Sequence, residues 1–263
     1  MSGRILVGDS DAWLGGDISP LAVCVLAPNP SPWTLDGTNT WIVGEEGGSC
    51  VVIDPGPLAG GHEESVMSVV EQRRSSVSAI LLTHGHIDHS EGADELADRL
   101  GVPVRSWSAN TLSESDTVEV EGADIRVLPT PGHSSDSVCF IAGDVILTGD
   151  TVLGRGTSLV AHPDGRLDEY LASLTLLSHL CGDLDIRRLL PGHGPVIDQP
   201  GRVVEYYLHH RHERLDQVRE AMSGGAVSAS EIVDLVYADI PPEVRPAAES
   251  TVLAQLAYLE QAD

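Results

Sequence analysis

Three histidines and one aspartate lie within a short run, His84-Gly85-His86-Ile87-Asp88-His89. Imidazole and carboxylate are ligands that suit zinc, iron and manganese, and few structural roles would concentrate them so closely. The run follows Ser78-Ala79-Ile80-Leu81-Leu82, a short apolar segment typical of a strand. It therefore predicts metal ligands on a loop that leaves a strand and enters a helix over residues 90–100. The alternative is a polar loop in which the histidines occur by chance.

Side chains of the same two types follow three other predicted strands, at 124–128, 145–148 and 186–190. Loops at strand ends are where a rigid scaffold presents a site, and a glycine beside each ligand permits a tight turn. The full set is too large for one tetrahedral zinc, so it predicts two metal ions with a bridging carboxylate and with water or hydroxide in the open positions. The candidate ligands are His84, His86, Asp88, His89, His133, Asp150 and His193.

Composition sets the broad class. The chain has 263 residues, of which 41% are hydrophobic and only 4% aromatic, so aliphatic side chains must fill the core. No apolar stretch is long enough to span a membrane, and residues 1–7 do not resemble a signal peptide. The four cysteines form no C-x-x-C pair, which favours a reducing cytoplasm and argues against cysteine-ligated zinc.

The charge balance is strongly acidic. The formal net charge is −25, and all 15 basic residues are arginine. Because nucleic-acid binders use a basic face to neutralise phosphates, this balance argues against a large nucleic-acid footprint, although a small basic patch stays open.

The pattern of predicted secondary structure changes near Pro200-Gly201. Residues 1–200 alternate apolar strand-like and helix-like segments, whereas residues 201–263 contain three helix-like segments separated by Gly224-Gly225 and Pro241-Pro242. We expect a domain boundary at this point. The main predicted elements of the first part are strands at 21–27, 39–43, 50–53 and 102–105 and helices at 62–74 and 167–181.

The order of these motifs resembles the metallo-β-lactamase superfamily over residues 20–200. The motifs are H-x-H-x-D-H, a lone histidine, Thr-Gly-Asp and Pro-Gly-His-Gly, and Asp54 in Val-Val-Ile-Asp-Pro-Gly matches the first superfamily motif. Residues 37–43 and 210–214 are similar to the beta-lactamase-like protein 2 branch. The resemblance implies an α+β fold, a four-layer αββα sandwich over residues 1–200, with a small helical, winged-helix-like domain over residues 201–263. The last helix runs to the end of the sequence, so no β-wing is expected.

The resemblance also implies a role for each candidate ligand. One metal ion is expected on His84, His86 and His133, the other on Asp88, His89 and His193, with Asp150 bridging. Asp88 and Asp150 are thus the expected catalytic carboxylates. Asp54 is expected to orient a ligand through hydrogen bonds, with a turn cap as its alternative role.

Five further residues are candidates for substrate contact, with weaker signals. Asn39 and Thr40 either polarise substrate or brace the metal loops, and strand hydrogen bonding is their plain alternative. His162 lies on a loop between the Asp150 and His193 motifs. Arg211 and Arg214 belong to the only basic cluster, which either contacts substrate phosphate or packs the C-terminal helices onto the main domain.

These features predict a zinc-dependent hydrolase with two Zn²⁺ per chain, manganese and iron being the alternative metals. The expected nucleophile is a metal-bridging hydroxide, and the expected substrate is a small anionic or acyl molecule. A thioester is favoured because a thiolate departs without a proton. The alternatives are single-stranded RNA cleavage, β-lactam or lactone hydrolysis, and a metal-stabilised binding module. We expect no membrane partner, and helix 203–222 is apolar enough on one face to cover the site or to form a homodimer.

Overall fold

The computed structural model describes residues 12–262. Residues 1–7, which are predicted not to form a signal peptide, lie outside that range. Two sheets form the centre of the fold. The first has six strands in the order β1-β2-β3-β4-β5-β6. It is antiparallel from β1 to β4 and parallel from β4 to β6. Its strands are β1 (Gly16–Asp17), β2 (Ala22–Leu26), β3 (Asn39–Val43), β4 (Ser49–Ile53), β5 (Ser76–Leu81) and β6 (Val104–Arg105).

The second sheet has five strands in the order β11-β10-β9-β8-β7. Strand β9 is antiparallel to both β8 and β10, and β10 is parallel to β11. Strands β8, β10 and β11 therefore run in one direction and end at the same edge of the sheet. The strands are β7 (Thr117–Val120), β8 (Ala123–Pro129), β9 (Val138–Ala142), β10 (Val145–Gly149) and β11 (Arg188–Pro191).

The helices cover the outer faces of the two sheets and form the C-terminal part of the chain. A 3₁₀ turn at Pro242–Val244 precedes the last of them. The helices are α1 (His62–Gln72), α2 (Ile87–Ser90), α3 (Ala93–Leu100), α4 (Leu167–Asp183), α5 (Pro200–Ser223), α6 (Ala229–Val236) and α7 (Arg245–Ala262).

Three apolar clusters divide the molecule into four layers. Strand β4 shows why, because successive side chains of a strand point to opposite faces. Val51 and Ile53 pack between the sheets with Phe140 and Leu147, whereas Val52 packs under α1 and α3. The third cluster joins the outer face of the second sheet to α4–α7. This αββα arrangement confirms the predicted fold class.

The predicted elements differ from the observed ones in detail. The helix expected at 90–100 is two helices, α2 and α3, that are interrupted at Glu91-Gly92. The predicted strand 102–105 is reduced to the two residues of β6, and β1 and β7 were missed. Both missed strands are short, and β7 alternates exposed and buried residues, so neither forms an apolar run.

The C-terminal helices share their core with the second sheet. Val204 and Leu215 of α5 and Val252 of α7 belong to the same cluster as Ile146 of β10. The boundary near residue 200 stays a prediction, as does a homodimer, and the apolar face of α5 is already packed within the chain. Within residues 12–262, no helix combines the length and the apolar content that a bilayer span requires.

Candidate metal centre

The loops after β5, β8, β10 and β11 meet at one edge of the sandwich and bring the seven candidate ligands together. Three imidazoles form the first group: His86 Nδ1 lies 2.9 Å from His84 Nε2 and 3.0 Å from His133 Nε2. Ligand atoms in a tetrahedral zinc site are separated by about 3.3 Å, from bond lengths near 2 Å. The three nitrogens therefore converge as ligands of one ion would.

A second group lies beside the first. His193 Nε2 is 3.2 Å from both His89 Nε2 and Asp88 Oδ2, and the latter two atoms are 3.7 Å apart. Asp150 lies between the groups: its Oδ1 is 3.5 Å from His89 Nε2, and its Oδ2 is 3.4 Å from His193 Nε2 and 3.8 Å from His133 Nε2. Among the described residues, Asp150 is thus the one carboxylate that faces both groups.

Hydrogen bonds from the opposite ring nitrogens orient these imidazoles. His133 Nδ1–H donates to Leu159 O at 2.7 Å, and His193 Nδ1–H donates to Gly37 O at 3.2 Å. A carbonyl oxygen can only accept, so each Nδ1 carries a proton and, in the neutral ring, each Nε2 has a free lone pair. Such outer contacts set the tautomer of a metal ligand.

Asp54 orients the His89 ring in the same way, with a carboxylate in place of a carbonyl group. Its Oδ2 lies 2.9 Å from His89 Nδ1, while Thr83 donates its backbone N–H to Oδ1 at 2.8 Å and its hydroxyl to Oδ2 at 2.6 Å. The Thr83 hydroxyl in turn accepts from His84 Nδ1–H at 3.1 Å. Asp54 has a φ of 51°, a left-handed conformation that a short acidic side chain tolerates better than most. One buried network therefore connects ligands of both groups.

The motif Pro191-Gly192-His193-Gly194 brings backbone close to the cluster. A Cβ on Gly192 would lie 2.5 Å from Asp150 Oδ1 and 2.7 Å from His89 Cε1. These distances are too short for any side chain. Glycine at this position is therefore required for the loop after β11 to approach Asp150 and His89.

The electrostatics of the cluster favour a cation. Burial raises the pKa of Asp150, but His193 and His89 outweigh it and hold that pKa well below its usual range. Burial lowers the pKa of His193, but Asp150 and Asp88 raise it to about 9. The carboxylates thus stabilise positive charge in their midst.

The donor set fits metal ions. It offers five imidazoles and two carboxylates, and three overlapping groups have all their ligand atoms within 4.8 Å of one another. Asp150 Oδ1 is buried and has no hydrogen-bond partner among the described residues, although a buried carboxylate oxygen normally requires one. A cation between the two groups would supply the missing interaction. The assignment of each ligand to an ion stays a prediction.

Asn39 and Thr40 lie beneath the cluster and not on a substrate surface. Asn39 is fully buried and donates through Nδ2 to Pro191 O at 2.9 Å and Gly194 O at 2.8 Å. Thr40 is also fully buried and donates its hydroxyl to Asp54 O at 2.7 Å. Their contacts support the bracing role, because each holds a loop that carries a ligand or its orienting group.

A cavity of about 470 Å³ opens onto the cluster. Of the other three substrate candidates, Arg211 lines this cavity and the remaining two do not. The Arg211 guanidinium is buried, donates to Ser158 O and lies 4.9 Å from the centroid of the Tyr170 ring. Arg214 lies over the Tyr237 ring and donates to Val236 O. His162 is exposed and, like Arg214, is absent from the cavity lining in the described part of the chain.

Thr83, Ser158 and the carbonyl groups of Leu159 and Gly37 were not among the predicted site residues. Thr83 stands next to the His84 motif, so its position was a usable signal. The sequence gives no signal for the carbonyl acceptors, because any residue type supplies the same backbone oxygen.

Known proteins share this arrangement of motifs. The family model of the metallo-beta-lactamase superfamily matches residues 33–106, and that of the beta-lactamase associated winged helix domain matches residues 228–263. A beta-lactamase-like protein 2 homolog from Caenorhabditis elegans is 30% identical over 252 residues, covering 89% of this chain and 82% of that protein. The chain belongs to the metallo-β-lactamase superfamily. This confirms the family expected from the motifs.

Another relative and two solved structures extend the comparison. An atrochrysone carboxyl ACP thioesterase from Aspergillus fumigatus is 32% identical over 251 residues, covering 86% of this chain and 76% of that protein. A metallo-β-lactamase family protein from Thermus thermophilus superimposes with a TM-score of 0.76 at 22% identity, covering 94% and 95% of the two chains. A β-lactamase domain protein from Burkholderia ambifaria gives 0.80 at 21% identity, covering 97% and 90%. These two structures support the fold.

Proposed function

We propose that this protein is a binuclear zinc-dependent hydrolase that cleaves acyl thioesters. The observation that carries the proposal is the position of Asp150 between two ligand groups, each complete enough to hold an ion. Membership of a hydrolase superfamily and relatives named as thioesterases support it. The same donor set accepts manganese or iron as alternatives.

His84, His86 and His133 would hold one ion, Asp88, His89 and His193 the other, and Asp150 both. When bound, a zinc pair lowers the pKa of coordinated water toward neutrality and polarises the substrate carbonyl. The protein's own contribution is orientation: Asp54, Leu159 O and Gly37 O keep three imidazoles in one tautomer. Rigid placement of this kind avoids reorganisation during the reaction.

Two basic groups on the cavity wall, His210 and Arg211, are poorly suited to protonate a leaving group. Burial, with the neighbouring Arg211 and Arg214, lowers the pKa of His210 to about 4, so its imidazole is neutral near pH 7. Arginine side chains do not release a proton near neutral pH, and Arg211 donates to Ser158 O. Neither is an effective general acid, and a thiolate with a thiol pKa near 8.5 does not need one. An alkoxide or ribose oxygen would depend on protonation or on the metal ions.

We also place the enzyme in a reducing compartment, the cytoplasm. Cys24, Cys50 and Cys139 are free and buried, which is ordinary for cysteines of a cytoplasmic core.

The decisive experiment compares substrates on one metal-loaded preparation. An acyl thioester, labelled single-stranded RNA and a β-lactam or lactone are assayed in parallel, each with and without chelator. We expect chelator-sensitive thioester hydrolysis and about two zinc per chain by elemental analysis. RNA cleavage with no thioester hydrolysis would contradict the substrate assignment, and one zinc or none would contradict the binuclear site.

Matched variants test the ligands. Asp150→Asn should lower kcat/KM by about 10³-fold, the size of effect seen when preorganised electrostatic stabilisation is removed. Asp144→Asn, which changes a half-exposed aspartate in the turn before β10, should leave activity and zinc content unchanged. Likewise, His133→Ala should lower zinc content, whereas His179→Ala on the exposed side of α4 should not. Equal effects of both members of a pair would refute the assignment.

A further inference from the structure

The cavity at the metal centre has a second wall that the proposed chemistry does not use. One wall carries His86, Asp88, His133 and Asp150, a second comes from residues 237–251, and the rest of the lining lies within residues 32–35, 153–159 and 210–211. Together they line a single volume of about 470 Å³, within the range that takes a small-molecule ligand. A ligand large enough to fill this space therefore contacts both the cluster and residues 237–251.

This second wall is largely apolar and spans more than one element. Tyr237 and Ile240 lie in the connection after α6, Val244 ends the 3₁₀ turn, and the other three residues lie on α7. The charged residues Asp239, Glu243 and Arg245 fall between them and are absent from the lining in the described residues. The wall consists of Tyr237, Ile240, Val244, Ala247, Ala248 and Thr251.

The C-terminal helix packs on the protein core beside the cavity. Val252 and Leu259 are buried in the cluster that joins α7 to the second sheet. Tyr237, Ile240 and Ala248 pack against the same cluster but are only half-buried, as are Val244 and Ala247. The wall therefore keeps part of its apolar surface open to the cavity. Small side chains at 247 and 248 also leave space there.

The wall is held in place by its neighbours. The backbone N–H of His162 donates to Ser250 O at 3.2 Å, which ties α7 to the loop before α4. The guanidinium of Arg214 lies 4.8 Å from the centroid of the Tyr237 ring. The apolar surface is therefore positioned by contacts to the loop before α4 and to α5.

We infer that this wall, formed by residues 237–251, binds the acyl chain of the substrate, so that the C-terminal helices select thioesters of apolar acyl groups by length. The inference rests on the proposed thioester hydrolysis. An apolar chain fits because, among the described residues, the stretch 237–251 contributes no charged side chain to the cavity lining. A phosphate or carboxylate on the acyl group would lose hydration against this wall without gaining a cation from it. Elsewhere in the lining, Arg155 is paired with Asp36, and Arg211 donates to Ser158 O.

The test is a chain-length series at constant thiol, from acetyl to dodecanoyl esters of N-acetylcysteamine, on the zinc-loaded full chain. Burial of one methylene is worth about 0.8 kcal/mol, so kcat/KM should rise about fourfold per methylene until the wall is covered, and then level off. Glutaryl thioester should be slower than the neutral pentanoyl thioester. No hydrolysis of any thioester would refute the proposed function, whereas equal rates for all lengths would refute only the acyl wall.

Cavity-filling variants locate the chain. Leucine adds three carbons to alanine, so Ala247→Leu and Ala248→Leu should shift the plateau to acyl groups shorter by about three methylenes. Ala257→Leu is the matched control, because Ala257 is also half-buried on α7 but does not line the cavity. Val244→Thr keeps the shape but adds a hydroxyl, and it should lower kcat/KM for long chains only. An unshifted plateau in both alanine variants, with acetyl activity intact, would overturn the inference.

Discussion

Asp54 offers the sharpest test of how the metal centre is built. In Asp54→Asn, the amide oxygen can still accept from the Thr83 backbone N–H, which lies 2.8 Å from Oδ1. The amide NH₂ then replaces Oδ2, where it faces two donors, the Thr83 hydroxyl at 2.6 Å and His89 Nδ1–H at 2.9 Å. The conflict is relieved when His89 changes tautomer, which places its proton on Nε2, the atom that faces Asp88, Asp150 and His193. A protonated nitrogen cannot be a ligand.

The expected loss is specific to one ion. Removing an outer-shell partner of a metal-bound histidine costs 10- to 100-fold in affinity, or about 1.4–2.7 kcal/mol. We expect this loss at the ion held by Asp88, His89 and His193, and less than about a threefold change at the other ion. Asparagine tolerates left-handed backbone well, so the φ of 51° at this position adds no further penalty.

Stepwise chelator competition, with zinc content measured at each stage, would resolve the two affinities. Thr83→Val is the contrasting variant: it leaves the Asp54–His89 contact but removes the acceptor of His84 Nδ1–H, so the larger loss should occur at the other ion. Wild-type affinity for both ions in Asp54→Asn would refute the orientation mechanism. An equal fall at both ions would show general disruption instead.

Two further predictions concern groups outside the ligand set. Burial lowers the pKa of His62 from 6.5 to about 4, so the unfolded chain binds this proton first and the free energy of unfolding falls as the pH drops from 6.5 toward 4, by up to about 3 kcal/mol. His62→Gln should flatten that part of the pH profile in urea unfolding, and an unchanged slope would contradict it. Arg211→Met should lower the free energy of unfolding by about 1–3 kcal/mol, because Ser158 O loses its donor, whereas Arg214→Ala should cost about 1 kcal/mol or less; the reverse order would show that Arg211 is not structural.

Much of the fold was predictable because its signals are local. The strands at 138–142 and 145–148 are apolar runs around a glycine turn, and they occur as β9 and β10. The predicted helix at 167–181 occurs as α4 over 167–183. By contrast, β7 is an edge strand that pairs with β8, and its alternation of exposed and buried residues resembles the pattern of a polar loop. The break between α2 and α3 is set by Gly92, whose N–H donates to Gly56 O at 2.9 Å, a contact between distant segments.

For the site, residue types and spacing alone determined the candidate donors and their chemistry, because imidazole and carboxylate beside glycine at strand ends have few other uses. The order of these motifs was enough to recognise the family. Only the tertiary structure decided which donors share a neighbourhood, since the distance from Asp150 to His89 depends on how the two sheets pack, and that from Asp150 to His133 on the strand order of the second sheet. It also decided that Arg211 is buried in the protein and that residues 237–251 complete the cavity. Those roles depend on what each side chain faces across the fold, and sequence spacing carries no information about that.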